Sequence, residues 1–217
     1  MADKKKTSDI IKSVEKLLSG EYGLALFYPA YSSFDKKLGR ISMFSEGTKE
    51  NAAVFCHAAL FYITAMLQAG KGNLAMKYLK QIMPNYQGDY DLYKTEPYAY
   101  AEYLVGPEHP YLYGEGAFTW ITGTAGWSFM AVTEHMLGIK REFKGLKIDP
   151  CIPKTWKRFS VTRPFRGTTY EIEVKNPNGV EKGVKKIFVD GKSINGDIIF
   201  PTGRKKSKVS VVMRKRN

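Results

Sequence analysis

The 217-residue sequence is poor in the residues that build disulfide frameworks and structural zinc sites. It has two cysteines, Cys56 and Cys151, and three histidines. The cysteines do not form a CxxC pair, and a structural zinc site needs about four Cys or His ligands at short, regular spacing. The composition therefore argues against a disulfide framework and against a structural zinc site, and it favours a reducing compartment.

The sequence also has no long apolar run. The N-terminal Met-Ala-Asp-Lys-Lys-Lys lacks the apolar centre of a signal peptide, and polar residues interrupt the apolar stretches well short of the roughly 20 residues that span a bilayer. We therefore expect a soluble, cytoplasmic protein with no membrane partner.

Acidic residues are scarce beside basic ones. Lysine and arginine total 34 and aspartate and glutamate 21, which gives a formal net charge of +13. Basic runs lie near both ends of the chain, at 4–6 and 204–216, and such runs are typical of solvated tails. No aromatic residue interrupts the C-terminal run in a stacking pattern, so nucleic-acid binding is not expected.

The first two thirds of the chain have the apolar periodicity of helices. A hydrophobic content of 43% is ordinary for a globular protein and sufficient for a core. Apolar residues recur at helical spacing over 8–18, 50–68, 73–83, 96–104 and 124–137. Pro97 is compatible with a helix there because proline is tolerated in a first turn. The spacing predicts about five helices.

Beyond Gly138 the period changes to two. Alternating residues predict strands over 159–161, 170–174, 187–189, 198–200 and 208–213. Asp190-Gly191 and Asn195-Gly196 are strong signals for two-residue hairpin turns. We therefore predict an α+β chain in three segments: a disordered basic lead over 1–7, a helical part over 8–145, and a β part with a basic tail over 146–217.

Two stretches carry candidate site residues. Thr48 is a suitable N-cap for a helix that would place Glu50 and His57 on one face, roughly 10 Å apart along the axis. The second stretch, Trp120 to Trp127, has Thr122 and Gly123 in a turn that leads into a helix and leaves backbone N–H groups free. Both arrangements suit hydroxyl-rich or anionic ligands. On the residues alone, a histidine at position 57 is more often a packed core residue, and Thr122-Gly123 is typical of a plain helix entry.

Five motifs in order along the chain carry a family resemblance: GTKENAAVFCHA, EPYAYAEYLVGPEHP, WITGTAGW, LKIDPCIPKTW and FRGTTYEIEVKNPNGV. Together they resemble the inverting glycoside phosphorylases of the cellobiose phosphorylase, chitobiose phosphorylase and cyclic β-1,2-glucan synthase family. This is glycoside hydrolase family 94, formerly glycosyltransferase family 36. The resemblance covers roughly residues 8–200.

The resemblance implies a longer protein of which this chain is the C-terminal portion. The family has an (α/α)₆ barrel followed by a β-sandwich of jelly-roll type, so the chain would supply a partial barrel and the antiparallel sandwich. Five helices cannot close that ring. We therefore expect the chain to pair with the missing N-terminal barrel half or with another copy of itself.

The resemblance also implies roles for single residues. His57, Thr122 and Gly123 match the family's phosphate contacts, Lys49 and Glu50 match contacts to the reacting sugar, and Glu102 falls in a sugar-binding segment. The implied substrates are a β-linked disaccharide or oligosaccharide and inorganic phosphate, which yield an α-sugar 1-phosphate. No metal or organic cofactor is implied.

The general-acid aspartate of the family has no match in residues 1–46, and Asp35 lies in a loop that aligns with an unrelated stretch. We therefore assign no catalytic residue and expect the chain to be inactive alone. The alternative is a non-catalytic carbohydrate-binding or interaction module derived from the family. The sequence leaves open which sugar is bound.

Overall fold

The computed structural model describes residues 3–214, which form two compact units. The first unit consists of Met1–Ile63 and Lys77–Ser128, and the second of Thr64–Met76 and Phe129–Asn217. A single cut near residue 145 does not separate these units, although the limits of the functional domains remain a prediction.

Residues 3–214 contain five α-helices and two kinds of shorter helix. The α-helices are α1 (Lys4–Leu17), α2 (Cys56–Gln68), α3 (Gly72–Ile82), α4 (Tyr90–Tyr93) and α5 (Thr124–Met130). Gly39–Met43 and Pro84–Tyr86 form 3₁₀ turns, and a π-helical segment, Ala131–Met136, continues α5. No helix among residues 3–214 is long and apolar enough to cross a membrane.

Thirteen strands in the described part of the chain form four sheets. They are β1 (Ser19–Gly20), β2 (Gly23–Leu24), β3 (Val54–Phe55), β4 (Ala101–Leu104), β5 (Gly116–Thr119), β6 (Ile139–Arg141), β7 (Leu146–Ile148), β8 (Arg158–Phe165), β9 (Thr168–Lys175), β10 (Val184–Val189), β11 (Lys192–Ile194), β12 (Ile198–Ile199) and β13 (Lys206–Met213). The mixture of helices with sheets confirms the α+β class.

Helix α1 begins earlier than predicted, inside the segment expected to be disordered. Asp3 caps it by accepting a hydrogen bond at 2.8 Å from the backbone N–H of Lys6. The Asp3 carboxylate also offsets three lysines in the first turn, which would otherwise oppose the positive end of the helix dipole. Met1 and Ala2 lie outside the described residues.

The predicted helix start at Thr48 is wrong, and α2 begins at Cys56. Residues 47–51 form a tight turn in which Asn51 N–H donates to the Thr48 carbonyl at 2.9 Å. Lys49 and Ala52 have φ angles of +47° and +66°, in the left-handed region that no continuous α-helix of L-residues contains. Glu50 and His57 therefore do not share a helix face.

The predicted helix over 96–104 is also wrong, because residues 101–104 form the central strand β4 of a three-stranded sheet in the order β3-β4-β5. Tyr103 pairs with Phe55 on one side and with Ala117 on the other. Ladder pairing with two neighbours and the burial of Ala101, Tyr103 and Leu104 override the helical spacing of the sequence.

The second unit contains a five-stranded sheet, β11-β10-β13-β9-β8, and a three-stranded sheet, β12-β7-β6. Buried residues alternate along β9 and β13, as expected for sheets with one covered face. The pair β13–β9 is parallel, so this sheet is mixed rather than purely antiparallel as predicted.

The two turn predictions have different outcomes. Asp190-Gly191 joins β10 to β11 in the predicted hairpin, with φ angles of +48° and +81°. Asn195-Gly196 is a turn, but it leads from β11 to β12, which pairs with β7 in the smaller sheet. Turn residues specify the local bend and not the sheet that the next strand joins.

Gly138 and Gly196 form a matched pair for testing backbone packing in the second unit. Both have left-handed φ angles, +67° and +85°. A Cβ on Gly138 would run into the backbone of Asp149 and Pro150, whereas Gly196 has nothing within 4 Å of that position.

We expect Gly196→Ala to lower the free energy of unfolding by about 1 kcal/mol, the cost of the left-handed conformation alone. Gly138→Ala should lower it by about 2–4 kcal/mol, because the methyl group also displaces backbone. Urea denaturation measures both losses. Equal losses would show that the close approach at Gly138 is easily relieved.

Candidate active site

The sheet β3-β4-β5 brings the two candidate stretches together in the first unit. Strand β3 ends at Phe55, directly before α2, and β5 ends four residues before Gly123 and the start of α5. The central strand β4 is antiparallel to both, so β3 and β5 lead into α2 and α5 at the same end of the sheet, on either side of β4. Glu102 lies on β4 next to Tyr103, the partner of Phe55, and opposite Phe118 of β5.

His57 and Gly123 are in close contact. A Cβ added to Gly123 would lie 2.9 Å from His57 Cε1 and 3.2 Å from Nδ1, so no residue larger than glycine fits without moving the imidazole. The rings of Phe61 and Trp127 hold the imidazole from the sides, with centroids 5.1 Å and 5.6 Å away. The contact fixes the histidine in the first turn of α2 against the entry to α5.

His57 Nε2 is buried and has no hydrogen-bond partner among residues 3–214. Buried polar nitrogens are normally paired, because an unpaired one costs about 1–3 kcal/mol. Cys56, the preceding residue, differs: burial raises the pKa of its thiol to about 12. The thiol is therefore protonated at neutral pH, and the imidazole is the group of this pair that can take a ligand.

The Thr122 hydroxyl lies in the same turn as Gly123. Thr122 Oγ1 is 2.6 Å from Thr124 Oγ1 and accepts a hydrogen bond from Thr124 N–H at 3.2 Å. The Gly123 carbonyl accepts the first helical bond of α5, from Trp127 N–H at 3.1 Å. The structure thus places Thr122 in the turn whose Gly123 contacts His57. The phosphate-binding role of the three residues stays a prediction.

Lys49 is held by aromatic rings. Its Nζ lies 4.0 Å from the centroid of the Phe118 ring and 5.6 Å from that of Phe44. Cation–π contacts of this kind are worth about 0.5–1 kcal/mol at exposed sites. The sequence did not indicate Phe118 as a site residue. Its φ of +56° is also not expected, because phenylalanine rarely adopts the left-handed conformation.

Asn51 is a second residue that sequence reasoning missed. Its side chain is fully buried, donates to the carbonyls of Tyr31 and Phe44 at 2.9 Å and 2.8 Å, and accepts from Tyr31 N–H at 2.8 Å. Three hydrogen bonds from one amide hold the loop before Lys49 and Glu50. An asparagine followed by alanines in a turn is the only signal that could have indicated it.

Glu50 and Glu102 both act on the buried hydroxyl of Tyr103. Burial is the largest cause that raises the pKa of Tyr103, followed by the negative charges of Glu102, Glu115 and Glu50. Glu50 is exposed on the turn, and Glu102 is half-buried on β4. The negative charges of both carboxylates therefore act on one tyrosine, although they come from separate elements.

A cleft of about 730 Å³ opens beside Phe44. Its lining mixes aromatic rings, hydroxyl groups, the Glu46 carboxylate and the His109 imidazole. His109 Nδ1 accepts from the backbone N–H groups of Tyr111 and Leu112 at 3.3 Å and 3.2 Å, so the neutral ring carries its proton on Nε2. Within residues 3–214, no group of three or more His, Cys, Asp or Glu side chains could hold a metal ion.

Comparison with known proteins identifies the family. Residues 1–138 match the family model described as "Glycosyl hydrolase 94 superfamily, catalytic domain". The chain belongs to the glycosyl hydrolase 94 superfamily. Residues 143–194 match a second family model, "Glycosyl hydrolase family 65, C-terminal domain". The resemblance inferred from the five motifs is thereby confirmed.

Two relatives with similar sequences are phosphorylases. The chain is 38% identical over 199 residues to N,N'-diacetylchitobiose phosphorylase of Vibrio proteolyticus, which covers 91% of this chain and 25% of the relative. It is 37% identical over 202 residues to solabiose phosphorylase of Paenibacillus borealis, covering 93% of this chain and 26% of the relative. The chain thus spans about a quarter of the length of these relatives.

Gly123→Ala tests the contact with His57, and Gly126→Ala is its control. A Cβ on Gly123 would displace the imidazole, whereas Gly126 has nothing within 4 Å of that position. We expect Gly123→Ala to weaken sulfate binding roughly 10-fold, the loss of one hydrogen bond to a charged group. Gly126→Ala should leave sulfate affinity unchanged and raise helix stability by roughly 0.5–1 kcal/mol. Calorimetric titration with sulfate measures the affinities, and equal affinity of all three proteins would contradict the predicted role of the contact.

Proposed function

We propose that this chain contributes the phosphate contacts and part of the reacting-sugar subsite of an inverting glycoside phosphorylase. Membership of the superfamily supports the reaction class. The observation that carries the proposal is the unpartnered Nε2 of His57, held against Gly123 at the meeting point of two helix starts.

Phosphate recognition would use three kinds of donor. The His57 imidazole and the Thr122 hydroxyl each offer one, and the backbone N–H groups at the start of α2 add others. The positive end of the α2 dipole also favours an anion at this place. Hydrogen bonds to a charged acceptor are roughly twice as strong as neutral ones, so a few such donors suffice.

The Lys49, Glu50 and Glu102 side chains would bind the hydroxyl groups of the reacting sugar. The Lys49 ammonium offers three donors, and the two carboxylates only accept. Together they can donate to the oxygen of a sugar hydroxyl and accept from its hydrogen. The contact with Phe118 restrains Lys49 before substrate arrives. The cleft beside Phe44 adds space for a further ring.

In the reaction, an oxygen of phosphate forms a bond to the anomeric carbon while the glycosidic C–O bond breaks on the opposite face. A general acid gives its proton to the leaving oxygen, which departs as the hydroxyl of the released sugar. We propose that this chain positions the phosphate and that the acid comes from a part of the enzyme outside it. Removal of such an acid commonly costs 10²–10⁴ in rate.

We extend the same proposal to the arrangement of the helices and sheets of this chain. The helices of residues 8–145 would form part of an (α/α)₆ barrel, and the sheets of residues 146–217 a β-sandwich of jelly-roll type. An N-terminal barrel half, or a second copy of this chain, would then complete the structure, in a cytoplasmic enzyme that uses phosphate as substrate and no cofactor.

A release assay tests the proposal. The chain is incubated with inorganic phosphate and either cellobiose or N,N'-diacetylchitobiose, alone and together with a polypeptide that carries the first three quarters of the Vibrio proteolyticus relative. We expect sugar 1-phosphate from the mixture only, and a loss of about 10²-fold or more with His57→Ala, because the nucleophile is no longer held. Cys56→Ala is the neighbouring control.

Release by the chain alone would show that the acid lies within it. A stable mixture that binds disaccharide but releases no sugar 1-phosphate would favour the alternative of a non-catalytic carbohydrate-binding module.

A further inference from the structure

Trp120 has a backbone conformation that its residue type disfavours. Its φ is +71°, and Phe118, two residues earlier, has a φ of +56°. The left-handed region costs an L-residue roughly 1–2 kcal/mol, and a bulky aromatic residue there is a genuine outlier. Strain of this kind persists where the surroundings hold it and is concentrated at functional sites.

The indole of Trp120 is exposed but fixed. About 70% of the residue is open to solvent, yet the indole Nε1–H donates to Glu96 Oε1 at 2.8 Å. This hydrogen bond is the largest cause that lowers the pKa of Glu96, so the carboxylate stays ionised at neutral pH. The Tyr98 ring, 74% exposed, stands 6.3 Å from the indole in an edge-on arrangement.

Trp120 belongs to the same chain segment as the candidate phosphate contacts Thr122 and Gly123. Trp120 precedes Thr122 by two residues in the turn that carries Gly123 against His57. An aromatic ring with an acceptor and a hydroxyl at its edge matches a sugar ring, whose apolar face packs on the indole while its hydroxyls reach polar groups. Glu96 retains acceptor capacity beyond the single bond to the indole, since a carboxylate can accept about four.

A purely apolar protein surface would suit Trp120, Tyr98 and Glu96 less well than a sugar ring. If such a surface covered Trp120 and Tyr98, it would remove water from the ionised Glu96 carboxylate and from the Tyr98 hydroxyl. Burial of a charge without matching donors is costly. Sugar hydroxyls supply such donors.

We propose that Trp120 and Tyr98 form a platform that stacks a sugar ring of the β-linked substrate, with Glu96 as the positioning residue that fixes the indole. The proposal rests on the proposed function, since it places the platform next to the phosphate contacts. It adds a sugar contact that lies outside the group formed by Lys49, Glu50 and Glu102.

Calorimetric titrations of the full chain with cellobiose, N,N'-diacetylchitobiose and inorganic sulfate test the proposal. We expect Trp120→Ala to weaken disaccharide binding about 3- to 10-fold, the range for loss of one aromatic contact. Trp120→Phe keeps a ring and should lie between that variant and the unsubstituted chain. Sulfate affinity should be the same in all of them. Phe143→Ala removes a residue that is 90% exposed elsewhere and is the control.

Glu96→Ala tests the positioning role. It should weaken disaccharide binding in the unsubstituted chain and have a smaller effect in the Trp120→Phe variant, which lacks the indole bond. It should also move the indole Nε1–H resonance of Trp120 toward that of a solvated indole.

Equal disaccharide affinity of Trp120→Ala and the unsubstituted chain would overturn the platform. A chain that binds sulfate but neither disaccharide would also overturn it and leave the phosphate contacts standing. A chain that binds neither kind of ligand would contradict the proposed function as well.

Discussion

The backbone pairing of β4 with both β3 and β5 is the constraint on which the candidate site depends. This register places Phe55 opposite Tyr103 and Thr119 opposite Ala101. Because β3 runs directly into α2 and β5 leads into α5, the ladder fixes where the two helices start. His57 and Gly123 meet as a consequence, although 66 positions separate them in the chain. A slip of one residue in the ladder would turn Glu102 and Phe118 to the other face.

Around this ladder, the side chains are held by contacts of different kinds. Aromatic rings flank His57 and Lys49, and an indole–carboxylate bond fixes Trp120. Asn51 ties the loop that carries Lys49 through three hydrogen bonds to backbone. Groups restrained in this way lose little conformational entropy when a ligand binds, which is the physical basis of preorganised sites.

Residue patterns predicted the local elements of the β half better than those of the site. Asp190-Gly191 specifies its own turn, and alternation along β9 indicates which face is buried, so both are accessible from sequence. The starts of α2 and β4 are decided by distant pairing, and their apolar spacing fits a helix as well as a strand. The family resemblance named His57 and Gly123 as phosphate contacts, but their contact with each other was not predicted. The left-handed conformations of Lys49, Phe118 and Trp120 have no signature in those residue types.

The most direct test of the account is a titration of the chain with inorganic phosphate, followed by NMR of the imidazole nitrogens. The three histidines, His57, His109 and His135, provide internal controls because only His57 contacts Gly123. We expect a saturable shift of the His57 Nε2 resonance, with those of His109 and His135 unchanged. An unmoved His57 resonance in a folded chain, or equal shifts of all three histidines, would contradict the claim that the sheet β3-β4-β5 assembles a phosphate site.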